Sequence, residues 1–397
     1  MAAPIYLDHG ATTPLDPRVL DAMLPWLRAS YANPSALYST ARQARNAIED
    51  ARAEVAKLIG ARPSEIIFTS GGTESVNAAI RGLGFAQQRS RSGHEIITSA
   101  IEHPSVLYTC QYLEKFGFTT TYAGVDSDAL VSIDEITRAI RPGTALVSVM
   151  LANNEVGTLQ PVREIARLAR QRGSLAGSRI LVHTDAIAAG AERQIDVDAL
   201  EVDALSLAAH KFGGPKGAGI LYLRRAVPFL SQQTGGGQEH QRRAGTENVA
   251  GIVGTAHALR LAYAEQAGFT QRICDLRDRL VVGVLRAIPG AALNGHPTER
   301  LAGNANFRLP GVNGEELLAE LDRANIAASS GSACADASWE PSHVVLAMGY
   351  TLAEAASSVR FTLGWSTTEA EIDRVLTVLP RIVERLRRGE ASLSVPS

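Results

Sequence analysis

Short apolar runs alternate with amphipathic stretches from about residue 65 to residue 223, and that alternation limits what this chain can become. Ile66-Ile67-Phe68, Ile96-Ile97-Thr98 and the segments 119–125, 145–151, 180–183, 204–207 and 220–223 read as strands. Helical spacing of apolar residues lies between them, in a helix opened by Thr73 and in segments 104–116, 133–140 and 161–172. Pro104 and Pro161 suit first helical positions. The pattern predicts an α/β sandwich built on a largely parallel or mixed sheet. Upstream, Asp16-Pro17 opens a helix to about residue 28, and segment 35–59 carries one apolar stripe through Ala41, Ala44, Ile48 and Val55. Beyond residue 249 the pattern changes to a long helix (249–287), a strand near Asn304-Ala305-Asn306-Phe307, and helices at 315–324 and 369–386. That region reads as a second, smaller α+β domain.

Composition narrows the function classes. A formal net charge of −2 over 397 residues gives no electrostatic reason to expect nucleic acid or an anionic membrane. No apolar run approaches the ~18 residues of a membrane helix, and the N-terminus lacks the pattern of a secretory signal. Cys110, Cys274 and Cys334 are odd in number and unpaired in spacing, which argues against a disulfide framework or a metal site. A cytoplasmic location is expected.

In open α/β sheets ligands bind beyond the carboxyl ends of the strands, so the residues there carry the functional signal. Thr69-Ser70-Gly71-Gly72-Thr73-Glu74 is either an anion site at a helix start or an ordinary strand–helix loop. Glu102-His103-Pro104 puts a histidine at a helix start, and Asn153-Asn154-Glu155 follows a buried strand. Asp185 leaves an apolar strand and needs a cationic partner. Lys211, one of only four lysines, lies on the turn His210-Lys211-Phe212-Gly213-Gly214-Pro215-Lys216-Gly217 between two apolar runs. A lysine there can bond an aldehyde, or the turn can be a solvated hairpin. Together a phosphate cradle, a flat ring, a carboxylate and an amine match the needs of pyridoxal phosphate.

Read in order, these blocks resemble the signature of cysteine desulfurases, in the NifS/IscS-like branch of the class V aminotransferase family. Tyr6-Leu7-Asp8, Ala152-Asn153-Asn154-Glu155-Val156-Gly157, His183-Thr184-Asp185-Ala186, His210-Lys211, Arg243-Ala244-Gly245-Thr246-Glu247-Asn248 and Ser329-Ser330-Gly331-Ser332-Ala333-Cys334 carry the likeness, from about residue 5 to 385. The resemblance implies a fold type I enzyme, its large domain (15–255) holding a seven-stranded, mostly parallel mixed sheet. The small domain comprises 1–14 and 256–397 and bears a mobile cysteine loop at about 328–340. It further implies that Lys211 bonds the cofactor, Asp185 pairs with its ring nitrogen, and His103 stacks on the ring and relays protons. Gly72, Thr73 and His210 would hold the phosphate, with Thr246 reaching that of the partner subunit's site in a homodimer. Asn33, Asn154 and Arg360 would contact the substrate, L-cysteine. Cys334, among small residues, would be the nucleophile that takes the sulfur as a persulfide for an acceptor such as an iron–sulfur scaffold protein.

Three features depart from the resembled pattern, one of them the segment Ser174-Leu175-Ala176-Gly177-Ser178-Arg179, which reads as a short insertion before a strand. Ala188 stands where a glutamine usually donates to the cofactor's phenolic oxygen, a loss of about 1.5–3 kcal/mol. Ala208 replaces a serine two residues before the phosphate histidine. Thr184 is one residue that could supply a donor instead. Two alternatives stay open on sequence alone: another class V aminotransferase or lyase, and a degenerate sulfur-relay scaffold protein.

Overall fold

The computed structural model of the chain describes residues 4–175, 177, 179–330 and 341–389. Twelve strands lie among these residues: β1 (Ile5–Tyr6), β2 (Ile66–Thr69), β3 (Glu95–Ser99), β4 (Thr119–Ala123), β5 (Thr144–Ser148), β6 (Leu181–Asp185), β7 (Ala204–Ala208), β8 (Gly219–Leu223), β9 (Ala292–Asn294), β10 (Asn304–Arg308), β11 (Ile326–Ala327) and β12 (Ser358–Thr362). Seven of them form the main sheet in the order β2-β8-β7-β6-β5-β3-β4. Only β8 runs against the others. Every residue of β2, β5, β6, β7 and β8 is buried, because helices cover both faces of the sheet. Edge strand β4 is mostly exposed, and its Thr119-Thr120-Thr121 run suits that position.

Local chemistry sets the helices. In α1 (Pro17–Arg28) the Asp16 carboxylate accepts from the Arg18 N–H, and Pro17 takes a position that needs no donor. In α2 (Ser39–Leu58) Ala41, Ala44, Ile48, Ala51 and Val55 form the buried stripe. The expected start at residue 35 lies four residues too early. There the Asn33 side chain accepts from Ser35 N–H at 2.9 Å, and this local turn competes with the helix. Two more helices, α3 (Gly72–Arg89) and α4 (Pro104–Glu114), follow β2 and β3 directly.

A second layer system follows. Strands β12, β10 and β9 form an antiparallel sheet, packed with helices Gly314–Arg323 and Glu369–Arg387. The helix Val249–Ala287 serves both bodies. Its Ile252, Ala256 and Leu259 join one apolar cluster with the main sheet, while its Ile273, Leu280 and Val284 join another with Phe307, Phe361 and Leu379. Leu7 belongs to that second cluster, and β1 pairs in parallel with β11. The N-terminal residues are therefore sewn into the C-terminal body. No helix of the described residues is long and apolar enough to cross a membrane.

Candidate active site

The loops after β2, β3, β5, β6 and β7 open onto one cleft of about 730 Å3. After β2, Gly72 and Thr73 of the first turn of α3 line it. The first turn of a helix holds N–H groups without intrahelical partners and is suited to an anion. A Cβ on Gly72 would sit 2.3 Å from Cδ1 of Ile187, so only glycine lets the helix start lie this close to the residues following β6.

After β3, His103 caps α4. Its Nδ1 accepts from the Ser105 N–H at 3.1 Å, which leaves the proton of the neutral ring on Nε2. Burial, reinforced by the charges of Lys211 and His343, pulls its pKa down to about 4, so the ring is neutral at pH 7. Beneath it, Glu102 accepts from Ser99 Oγ at 2.6 Å and from Met150 N–H at 2.9 Å. Burial pushes this carboxyl up to about 8, which keeps it protonated at neutral pH. After β5, the Asn153 amide braces a tight turn by accepting from Glu155 and Val156 N–H and donating to Ile101 O, each at 2.9 Å. That turn presents Asn154 and Glu155 to the cleft.

Asp185 ends β6 and lies at the cleft floor, 5% exposed. Its Oδ1 accepts from the Ile187 N–H at 2.9 Å. Burial pushes the carboxyl up to about 6 even though Lys211 opposes the shift. A desolvated carboxylate of this kind is stabilised by a cation placed against it. After β7, a single turn (Ala209–Lys211) carries His210 and Lys211. Lys211 Nζ donates to the carbonyls of Gly10 at 2.5 Å and Ala11 at 2.8 Å. His210 Nδ1 lies 3.1 Å from Thr12 Oγ1, and burial with the nearby lysines pulls its pKa down to about 4.

Arg360 reaches the same cleft from β12 of the smaller sheet and is 2% exposed. Its Nη2 donates to Asp8 Oδ1 and its Nη1 to the Asn154 carbonyl, both at 2.9 Å. The donor set fits pyridoxal phosphate: an amine for its aldehyde, a buried carboxylate for its ring nitrogen, a neutral imidazole for its ring face and a helix start for its phosphate.

Gly72, Thr73, His103, Asn154, Asp185, His210, Lys211 and Arg360 thus share one cleft, as do Ala188 and Ala208. Thr246 and Asn33 do not line it; both are exposed on the surface. Cys334 lies outside the described residues, between two segments that meet the cleft. Ser329 exchanges backbone hydrogen bonds with Arg360, while Pro341 and His343 line the cleft wall. Thr184 does not replace the donor missing at Ala188. It is fully buried, alternates to the opposite strand face from Asp185, and does not line the cleft. A smaller cavity of about 130 Å3 lies behind Lys211 and shares Gly10, Asn154 and Ala188 with the cleft. Sequence reasoning gave no role to Asp8, Ser342 or His343. Their partners lie 352, 187 and 241 residues away in the chain, so no local spacing marks them.

The model of the class V aminotransferase family matches residues 5–375. The cysteine desulfurase IscS of Methanosarcina thermophila is 47% identical over 383 residues, covering 96% of this chain and 93% of its own. That of Dictyoglomus turgidum is 45% identical, covering 98% of this chain and 96% of its own. Among solved structures, a NifS-like protein superimposes with a TM-score of 0.89 at 36% identity, covering 96% of this chain and 99% of its own. A structure described as SspA in complex with cysteine gives 0.78 at 37% identity, covering 90% of this chain and 98% of its own.

Proposed function

This chain belongs to the class V aminotransferase family, among its cysteine desulfurases, and from that premise we propose that it removes sulfur from L-cysteine to give L-alanine and a persulfide on Cys334. Pyridoxal phosphate, on which the family depends, supplies the electron sink that stabilises negative charge at the substrate Cα.

The chain's own residues do the rest. Lys211, released from the Gly10 and Ala11 carbonyls, would hold the cofactor through its amine and would move the Cα proton. Asp185 would pair with the cofactor's ring nitrogen, and its poor hydration would strengthen that pairing. His103, neutral and fixed by Ser105, would lie against the cofactor and present Nε2–H for proton relay. Gly72, Thr73 and His210 receive the phosphate. Arg360 and Asn154 take the substrate carboxylate. The Cys334 thiolate then attacks the substrate sulfur: the new S–S bond forms as the C–S bond breaks, and the electron pair left on carbon collects a proton as alanine forms.

The observation that carries this reading is the convergence on one cleft of Lys211, Asp185 and His103 from three separate strand ends of the main sheet and of Arg360 from the middle of β12. The exposure of Thr246 and Asn33 supports a homodimer in which each protomer completes its partner's site. Exposed Tyr31, Leu37 and Tyr108, at 84%, 84% and 66%, supply apolar surface for such an interface. A cytoplasmic enzyme that passes sulfur to an acceptor protein, such as an iron–sulfur scaffold, is the reading consistent with the IscS relatives.

The test is to load the protein with pyridoxal phosphate and add L-cysteine. The expected result is a yellow protein whose absorption changes with L-cysteine and which makes alanine and persulfide in equal amounts. Cys334→Ser should retain the spectral response and lose persulfide formation. Undiminished sulfide release from Cys334→Ser, or pyruvate and amino-group exchange in place of alanine, would overturn the assignment.

A further inference from the structure

The N-terminal residues touch three residues of the cleft at once. Gly10 and Ala11 accept from Lys211, Thr12 meets His210, and Asp8 pairs with Arg360. The segment is firmly held. The Tyr6 hydroxyl donates to the carbonyls of Asp8 and Thr12 at 3.1 and 2.8 Å, Thr362 N–H donates to Leu7 O at 2.7 Å, and Gly10 N–H donates to Thr362 Oγ1 at 2.7 Å. Asp8 is therefore presented to Arg360 by backbone that cannot drift.

The pair is unequal in its surroundings. The Arg360 side chain is 2% exposed and that of Asp8 19%. Arg360 spends one N–H on Asp8 and one on the Asn154 carbonyl, while its Nε–H has no partner among the described residues. The guanidinium is thus fixed in orientation and neutralised in charge, yet keeps unused donors. A carboxylate that binds it meets a pre-aimed fork whose net charge is already balanced.

Resting on the functional reading above, we infer that Asp8 is a positioning residue that aims Arg360 and moderates its charge, setting the affinity for the amino acid's carboxylate. The same carboxylate is present on L-cysteine and on L-alanine. A bare buried guanidinium would hold both tightly and release the product slowly; a guanidinium shared with Asp8 exchanges them. Asp8 touches neither substrate nor cofactor in this role and acts through Arg360 alone.

The test uses Asp8→Asn, which keeps an acceptor oxygen and removes the charge, in the cofactor-loaded enzyme. L-Alanine binding is read from the cofactor's absorption, with ethylamine as the counterpart that lacks the carboxylate. Asp8→Asn should bind L-alanine on the order of tenfold more tightly and leave ethylamine binding unchanged. With L-cysteine, kcat and KM should fall together, because product release slows. Asp8→Glu retains the charge and should stay within about threefold of the wild type for L-alanine, which keeps the inference falsifiable if the asparagine variant folds poorly. Unchanged or weaker L-alanine binding in Asp8→Asn, equal tightening toward ethylamine, or tightening in Asp8→Glu would overturn it. A wild-type protein that responds to neither L-cysteine nor L-alanine would instead sink the functional reading, and this inference with it.

Discussion

Asp185 and Lys211 were legible in the sequence for opposite reasons. A carboxylate leaving an apolar strand is costly unless a cation is placed against it, whereas a lysine on a glycine-rich turn between two such strands is marked by its capacity to bond an aldehyde. The structure puts both on one cleft and pushes the Asp185 carboxyl up to about 6 through burial. Arg360 was legible only through family resemblance. Ser358-Val359-Arg360-Phe361 reads as an ordinary mixed segment, and its two partners lie 352 and 206 residues away in the chain. Ala188 is one of the residues where the chain departs from its resembled pattern, and it opens on both the cleft and the cavity behind Lys211. That cavity leaves room for a longer side chain. Ala188→Gln should fold normally and tighten pyridoxal phosphate binding by about 1.5–3 kcal/mol, read by equilibrium dialysis. Weaker binding would mean that the glutamine cannot reach the cofactor from this position.

At the scale of elements, strands buried on both faces were easy to find because each carries a short apolar stretch, Ala145-Leu146-Val147, Ile180-Leu181-Val182 and Ile220-Leu221-Tyr222-Leu223 among them. The smaller sheet was harder. Strand β12 carries a buried arginine, and β9 has only three residues. The start of α2 was displaced by an Asn33 side-chain turn that periodicity cannot register. One further element had no signal in the sequence. Glu239, His240 and Gln241 are three successive non-glycine residues with φ of 47°, 55° and 63°. Left-handed backbone costs each about 1–2 kcal/mol. A buried ion pair holds them: Glu239 accepts from Arg52 Nη1 at 2.7 Å, Arg52 Nη2 at 3.0 Å and Phe68 N–H at 2.9 Å. This turn leads into 242–247, the segment proposed to carry Thr246 toward the partner subunit. Glu239→Ala leaves Arg52 with the exposed Glu49 carboxylate and the Ile66 carbonyl as its remaining partners and strips the Phe68 N–H of its acceptor, so it should cost about 3 kcal/mol in urea unfolding. Exposed His240→Gly should move the other way, stabilising by about 1 kcal/mol through relief of strain. A destabilised His240→Gly would show that the left-handed turn is not under strain.

Across the whole molecule, seven titratable groups, four buried and three half-buried, dominate the pH dependence around neutrality. Burial pulls His9, His103 and His210 down to about 4 and His183 to about 3, from an ordinary 6.5. The stability they support is present above pH 6.5 and is lost as pH falls toward their folded values. Burial pushes Asp185 up to about 6 from 3.8, and Glu192 and Glu102 up to about 7 and 8 from 4.5. Their stability is present at low pH and is lost as pH rises through those folded values. Four histidines outweigh three carboxyls on the acid side, and only Glu192 and Glu102 still titrate on the alkaline side. The cofactor-free protein should therefore have its highest Tm near about pH 6.5 and lose stability toward pH 8; a Tm that still climbs between pH 7 and 8 would contradict this. The central claim, that the cleft delivers sulfur to Cys334, is tested most directly by one turnover of sulfur-labelled L-cysteine on the cofactor-loaded enzyme. Peptide mass mapping then locates the label. The account predicts one added sulfur atom on the peptide that contains Cys334, in step with alanine. Label on Cys110 or Cys274, or alanine without any labelled peptide, would contradict it.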